Sequence, residues 1–139
     1  MSENTVNAPS TANTAPAHVV DLADRYLAAW NETDAVRRRA LIGRTWTESA
    51  VYVDPLMRGE GHDGIDAMIA AVQARFPGFK FRRVTPVDAH GENLRFSWEL
   101  GPAGEAALVV GTDFATLSAD GRLTGMTGFI DRAPAGLAG

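Results

Sequence analysis

Two carboxylates in this chain stand where a carboxylate could do chemistry. Asp54 closes the run Ala50-Val51-Tyr52-Val53-Asp54-Pro55. Val51, Tyr52 and Val53 favour a strand, and Pro55 cannot continue a central one. Alternation puts Tyr52 and Asp54 on one face and Val51 and Val53 on the other. A carboxylate at such a break is either solvated at a rim or held over a pocket, and the second reading makes it a candidate base. Asp113 is the odd residue of its strand. Its own face carries Val109, Gly111, Ala115 and Leu117, apolar with small residues that leave room. The other face, Leu108, Val110, Thr112, Phe114 and Thr116, is also rather apolar. Desolvation raises the pKa of a buried carboxyl, and a protonated acid can donate a hydrogen bond. The structural alternative for Asp113 is an ion pair with Arg95, or with another arginine, or the capping of a bulge.

The histidines offer less. His62 follows Asp54 in a loop, where it either lines the mouth of a cavity or is solvated. His90 falls in the turn 88–91, and His18 precedes the first helix. Their scatter lacks ligand spacing, so no metal is expected. No cofactor is expected either.

The whole chain sets outer limits. Its 139 residues suffice for one domain with a core. A composition 45% hydrophobic and 22% charged suits a globular protein. Thirteen Lys and Arg against 17 Asp and Glu give −4, with no basic block. Nucleic acid and anionic membranes are therefore disfavoured as partners. There is no cysteine, which excludes disulfides, thiolate metal sites and thiol nucleophiles. No apolar run approaches the ~20 residues of a membrane helix, and no secretory signal is evident. A cytoplasmic location is the expectation.

The elements that must position the carboxylates follow from periodicity. Residues 1–17 and 133–139 carry hardly a large apolar side chain and read as tails, the first of them disordered, around a domain at 18–132. Val19, Leu22, Ala23, Tyr26, Leu27 and Trp30 recur at helical spacing over about 18–31. Thr33 or Asp34 can cap a second helix reaching about Trp46, with Arg37, Arg38 and Arg39 as its solvated face. The strand at Asp54 comes next. Residues 58–64 read as a glycine-rich loop without phosphate-loop spacing. Asp63 reads as the cap of a third helix, whose stripe is Ile65, Met68, Ile69, Val72 and Phe76. Strands follow at 79–82, around 94–100, at 106–117 and at 122–131, the last weakened by Gly125 and Gly128. Helices segregated from a largely antiparallel sheet make an α+β fold, with a space for a small ligand between the layers.

The chain resembles the nuclear-transport-factor-2-like (NTF2-like) superfamily, in its SnoaL-like and ketosteroid-isomerase-like branch. Arg25-Tyr26-Leu27-Ala28-Ala29-Trp30-Asn31, Ala50-Val51-Tyr52-Val53-Asp54-Pro55, Gly64-Ile65 and Gly111-Thr112-Asp113-Phe114 carry the likeness, over about residues 18–132. It implies a cone: a curved, mostly antiparallel sheet and three helices enclosing a cavity. It also implies roles. The helix-one tyrosine that donates to the substrate oxygen falls on Tyr26. The strand aspartate that shuttles the proton falls on Asp54, and the protonated oxyanion-hole aspartate on Asp113. Trp30, Tyr52, His62, Met68, Phe96 and Trp98 are the expected substrate-binding residues.

Departures from that pattern are specific. With two tyrosines in all, the chain lacks the supporting tyrosine of helix three. Phe114 replaces a polar residue, and Tyr52 is an addition that could bind Asp54. The arginine of limonene-epoxide-hydrolase-like members, two before the strand aspartate, is Gly111 here, which argues against that chemistry. The resemblance implies proton transfer on a small apolar carbonyl compound, as isomerisation or polyketide-type cyclisation. The alternative is a non-catalytic binding domain for a small hydrophobic molecule. A homodimer through the outer sheet face is also expected.

Overall fold

The computed structural model describes residues 15–136. The expectations for 1–14 and 137–139 lie outside them. Helix α1 (Ala17–Asn31) buries Val19, Leu22, Ala23, Tyr26, Leu27, Ala29 and Trp30 as one stripe. Its start follows Pro16, and Ala15 is already buried. Helix α2 (Ala35–Thr45) is capped by Asp34, whose carboxylate accepts from the Arg37 N–H at 2.9 Å.

Two readings of this region need correction. Arg38 is not part of a solvated face: it is 6% exposed and donates to Asp66 at 2.6 Å. It also donates to the Glu32 carbonyl and to Gln73, both at 3.1 Å. Gln73 in turn donates to the Trp30 and Glu32 carbonyls. The turn after α1 is thereby fastened to the third helix. Asp63 is not the cap of that helix. Helix α3 (Gly61–Arg75) begins earlier, at a glycine with φ 70°, and Asp63 sits exposed in its first turn beside Arg39.

The strands are β1 (Trp46–Val53), β2 (Arg58–Glu60), β3 (Phe79–Arg83), β4 (Asp88–His90), β5 (Asn93–Pro102), β6 (Val109–Leu117) and β7 (Leu123–Arg132). They form one mixed sheet in the order β2-β1-β7-β6-β5-β3, with β4 also on β5. Only the β1–β7 pair is parallel among the described residues. Strand β2 lies within the stretch read as a loop, and β4 within the stretch read as a turn. Both are three residues long, too short for alternation to register. Of the two glycines, Gly125 borders a register shift, the one between Leu123 and Gly125 opposite Thr116–Leu117, whereas Gly128 pairs in register with Asp113; a second shift falls opposite Val110–Gly111.

Alternation in β5 buries Leu94, Phe96, Trp98 and Leu100. The same holds for Val109, Gly111, Asp113 and Ala115 in β6. The first helix meets these inner faces through Tyr26, which packs against Phe96 and hydrogen-bonds Asp113. At the sheet edge, Asn31 accepts from the Phe81 N–H at 2.8 Å and donates to its carbonyl at 3.0 Å. The last residue of α1 thus occupies backbone groups that an edge strand would leave unpaired. It also brings Phe81 against Trp30, with ring centroids 5.2 Å apart.

Candidate functional site

Asp113 points into the interior, at 2% exposure. The arginine partner that would have explained it structurally is engaged elsewhere: Arg95 pairs with Asp88 at 3.0 Å. The partner of Asp113 is Tyr26, whose hydroxyl donates to Oδ2 at 2.7 Å. Tyr26 is itself 1% exposed, set among the rings of Trp30, Trp46 and Phe96 with centroids 5.7–6.4 Å away. The second oxygen, Asp113 Oδ1, is buried and has no hydrogen-bond partner. An orphaned carboxyl oxygen in an apolar setting is costly unless it is protonated or meets a ligand. Burial pushes the Asp113 carboxyl up to about 6, with the Asp54 charge adding to the rise. The Tyr26 hydroxyl and the Trp98 indole oppose it. That indole N–H favours the anion without making a hydrogen bond of normal geometry, since Trp98 Nε1 also lacks a partner.

Asp54 stands at the end of β1 in a different setting. Tyr52, two residues earlier and on the same face, donates to Oδ2 at 2.6 Å. After Pro55 the chain turns, and the N–H groups of Leu56 and Met57 both donate to Oδ1, at 2.8 and 3.0 Å. A carboxylate has about four lone-pair sites. Oδ1 is therefore filled, and Oδ2 keeps one position open. The phenols of Tyr26 and Tyr52 are both held well above their ordinary value, by burial first and by carboxylate charge second, so both stay protonated donors.

Gly128 joins the two carboxylates. It lies opposite Asp113 in the β6–β7 register. A Cβ on it would come within 3.0 Å of both Asp113 Oδ1 and the Tyr52 hydroxyl, and 3.2 Å of Asp54 Cβ. The bare backbone at this point is what allows the acids and Tyr52 to converge. Gly111 does a similar service. A Cβ there would strike the Trp98 ring and the Phe129 carbonyl, so the indole packs directly against bare backbone.

A cavity between sheet and helices is lined by Tyr26, Trp30, Tyr52, Asp54, Trp98 and Asp113 among others. The chain has the family's sequence pattern as well: residues 23–126 match the model of the SnoaL-like domain. The chain belongs to the SnoaL-like family. The fold is that of its NTF2-like superfamily, a curved sheet with three helices. Among solved structures, a candidate isomerase of the SnoaL-like family from Agrobacterium tumefaciens is 44% identical, with TM-score 0.80, over 84% of this chain and 100% of that one. A candidate SnoaL-like polyketide cyclase from Jannaschia sp. is 21% identical, with TM-score 0.67, over 82% of this chain and 85% of that one. Another candidate polyketide cyclase, from Sinorhizobium meliloti, is 17% identical, with TM-score 0.62, over 78% and 93%. The last two likenesses concern the fold alone. No curated protein matches the chain.

Three residues expected at the binding site of this SnoaL-like chain lie outside the cavity lining. His62 turns away to Trp46, with its Nε2 2.9 Å from that carbonyl. A carbonyl only accepts, so Nε2 carries the proton. Phe96 packs against Tyr26, and Met68 lines a separate groove with Arg58 and Ala71. Sequence reasoning also missed Gly128 and wall residues such as Leu27, Phe81, Leu100 and Ile130. Leu100 shares the buried face of Phe96 and Trp98, so alternation could have found it. Gly128 gave no such signal.

Proposed function

We propose that this SnoaL-like protein moves a proton on a small apolar carbonyl compound. The observation that carries the reading is the orphaned Asp113 Oδ1, buried beside a cavity that Asp54 also enters. In this reading Asp54 Oδ2 takes a proton from the carbon next to the carbonyl. The electron pair moves onto the carbonyl oxygen. Protonated Asp113 donates to that oxygen from Oδ1. Tyr26 holds Asp113 Oδ2 and becomes a second donor by turning its O–H toward the same oxygen. Asp54 then returns the proton to another carbon, which shifts a double bond, or the enolate closes a ring.

The test does not require the natural substrate. Exchange of α-protons on apolar ketones and enones in deuterium oxide, followed by NMR, reads the proposed step itself. Wild type should accelerate exchange, and Asp54→Asn should lose about 100-fold or more. Asp113→Leu should be about as severe, and Asp113→Asn milder because an amide still donates. Equal exchange by wild type and Asp54→Asn would overturn the reading. The second reading, a binding domain without turnover, draws on the three hydrogen bonds that already engage Asp54. It predicts ligand-dependent stabilisation with no exchange on any ketone.

The proposal includes a homodimer through the outer sheet face. Phe114 on β6 and Phe129 on β7 are 42% and 54% exposed there, on adjacent strands. Light scattering at micromolar concentration should give twice the chain mass; a monomer would remove this part.

A further inference from the structure

Among the described residues, the indole N–H groups of Trp30, Trp46 and Trp98 are buried without a hydrogen-bond partner. A buried donor left unmade is costly, and each such case asks for an explanation. Trp30 and Trp98 line the cavity that Asp54 and Asp113 share, and Trp46 does not. Trp98 stands beside the acid. In the β5–β6 register it lies opposite Gly111, while Phe96 lies opposite Asp113. Trp98 and Asp113 are therefore diagonal neighbours on one inner face, a separation that an aromatic side chain can bridge. Gly111 shows which edge of the indole lies this way. A Cβ on it would strike Cζ2 and Cε2 of the ring, and Cε2 is the carbon bonded to Nε1. The N–H favours the Asp113 anion yet completes no hydrogen bond. A completed bond would hold Asp113 charged and spoil it as an acid. A donor that stops short leaves the acid its proton and keeps its own N–H for a third atom.

We infer that the Trp98 indole N–H donates to the ligand oxygen that Asp113 Oδ1 also meets, as a third donor beside Asp113 and Tyr26. This rests on the reading of the cavity as a proton-transfer site and adds a catalytic residue to it. An indole nitrogen donates and does not accept, so Trp98 stabilises charge and carries no proton to or from the substrate. The number of donors matters. A carbonyl oxygen offers two lone pairs, and an enolate oxygen offers three. Three donors are therefore used fully only as charge develops on the oxygen. That difference lowers a barrier, whereas equal binding of ketone and enolate would not.

Proton–nitrogen NMR of the three indole groups in the whole protein tests this. Trp98→Phe assigns the Trp98 signal, and contact with the Gly111 α-protons assigns it if that variant does not fold. The probes are cyclohexanone and methylenecyclohexane, which share a shape and differ in the carbonyl oxygen. Methyl signals of Leu100 and Ile130, both in the cavity wall, report occupancy. Cyclohexanone should move the Trp98 N–H downfield, and methylenecyclohexane should not. The Trp46 signal should stay in place with both. The benzothiophene isostere of the indole, inserted at position 98, keeps the shape and loses the N–H. It should slow α-proton exchange of cyclohexanone about 10-fold or more, with KM within about three-fold of wild type. Occupancy by cyclohexanone without a Trp98 shift overturns the inference. An equal shift with both probes, a downfield shift at Trp30 alone, or an isostere as fast as wild type overturns it too. Each of these leaves the cavity reading in place. A wild type that shows the shift but exchanges no α-proton overturns proton transfer and keeps the hydrogen bond. Probes that move neither the methyls nor the indoles overturn both.

Discussion

Asp113 and Asp54 are the same side chain in two regions built on opposite principles. Around Asp113, in the middle of β6, the structure supplies rings and removes water. It gives one strong donor, Tyr26 at 2.7 Å, and leaves Oδ1 with none. Around Asp54, at the end of β1, the chain breaks at Pro55 and supplies three donors, two of them backbone N–H groups. Burial penalises charge and donors reward it. One scaffold therefore holds two carboxyls of one residue type in contrasting settings, one mid-strand among rings and the other at a strand end among donors. Gly128 is the point where the two regions touch.

Stripping the closed region should have the largest effect. Trp98 is 6% exposed and lies across Gly111. Trp98→Ala should cost ~3–5 kcal/mol in urea unfolding. It should also let water reach Asp113, lowering its titration midpoint toward the ordinary carboxylate range. A loss below about 1 kcal/mol would mean that this wall does not seal the site.

The next effect is one of pH. The folded-state value of about 6 for Asp113 lies above the ordinary 3.8. A raised value means that the folded state binds the proton more tightly. The associated stability is full below about pH 4 and is lost as pH rises through about 6. The two-unit difference corresponds to about 3 kcal/mol. Asp113→Asn removes this titration. It should gain on wild type by up to that amount between about pH 4 and pH 7, read from paired denaturant curves. A constant gap between the two proteins would contradict the burial account. Catalysis that relies on protonated Asp113 should fall over the same rise in pH.

How far the sequence carried this comparison depends on the signal. The strand patterns of β5 and β6 were legible because alternation holds over many residues: Leu94, Phe96, Trp98 and Leu100 all proved buried, as did Tyr26 and Trp30 on their helix. Arg38 was not legible. A run of three arginines reads as solvated, and only the arrival of Asp66 and Gln73 from α3 makes burial of one of them affordable. The direction of His62 depended on β2 and an early helix start, both hidden by glycines that permit many backbones. Gly128 read as a weakness in β7. Its meaning lies in what a Cβ would strike across two neighbouring strands, which one strand's pattern does not encode.

Gly128→Ala should sharpen the comparison by pushing its two halves apart. The added Cβ meets both Asp113 Oδ1 and the Tyr52 hydroxyl at 3.0 Å, and relief of such crowding costs ~1–3 kcal/mol. Activity should fall far more than that stability loss explains. A fully active variant would show that the convergence is not used. The smallest effect should come from Tyr52→Phe at the rim. Loss of the Tyr52–Asp54 hydrogen bond should cost ~0.5–1.5 kcal/mol while leaving the Asp113 midpoint close to that of wild type. A large shift in that midpoint would mean that the two regions act as one.

The most direct measurement of the difference is a carbon-13 NMR titration of the aspartate side-chain carboxyls in the whole protein, with Asp113→Asn for assignment. The account predicts one aspartate carboxyl with a midpoint of about 6, absent from the variant. It would be contradicted if every aspartate titrated in the ordinary carboxylate range, or if the signal near 6 survived in Asp113→Asn.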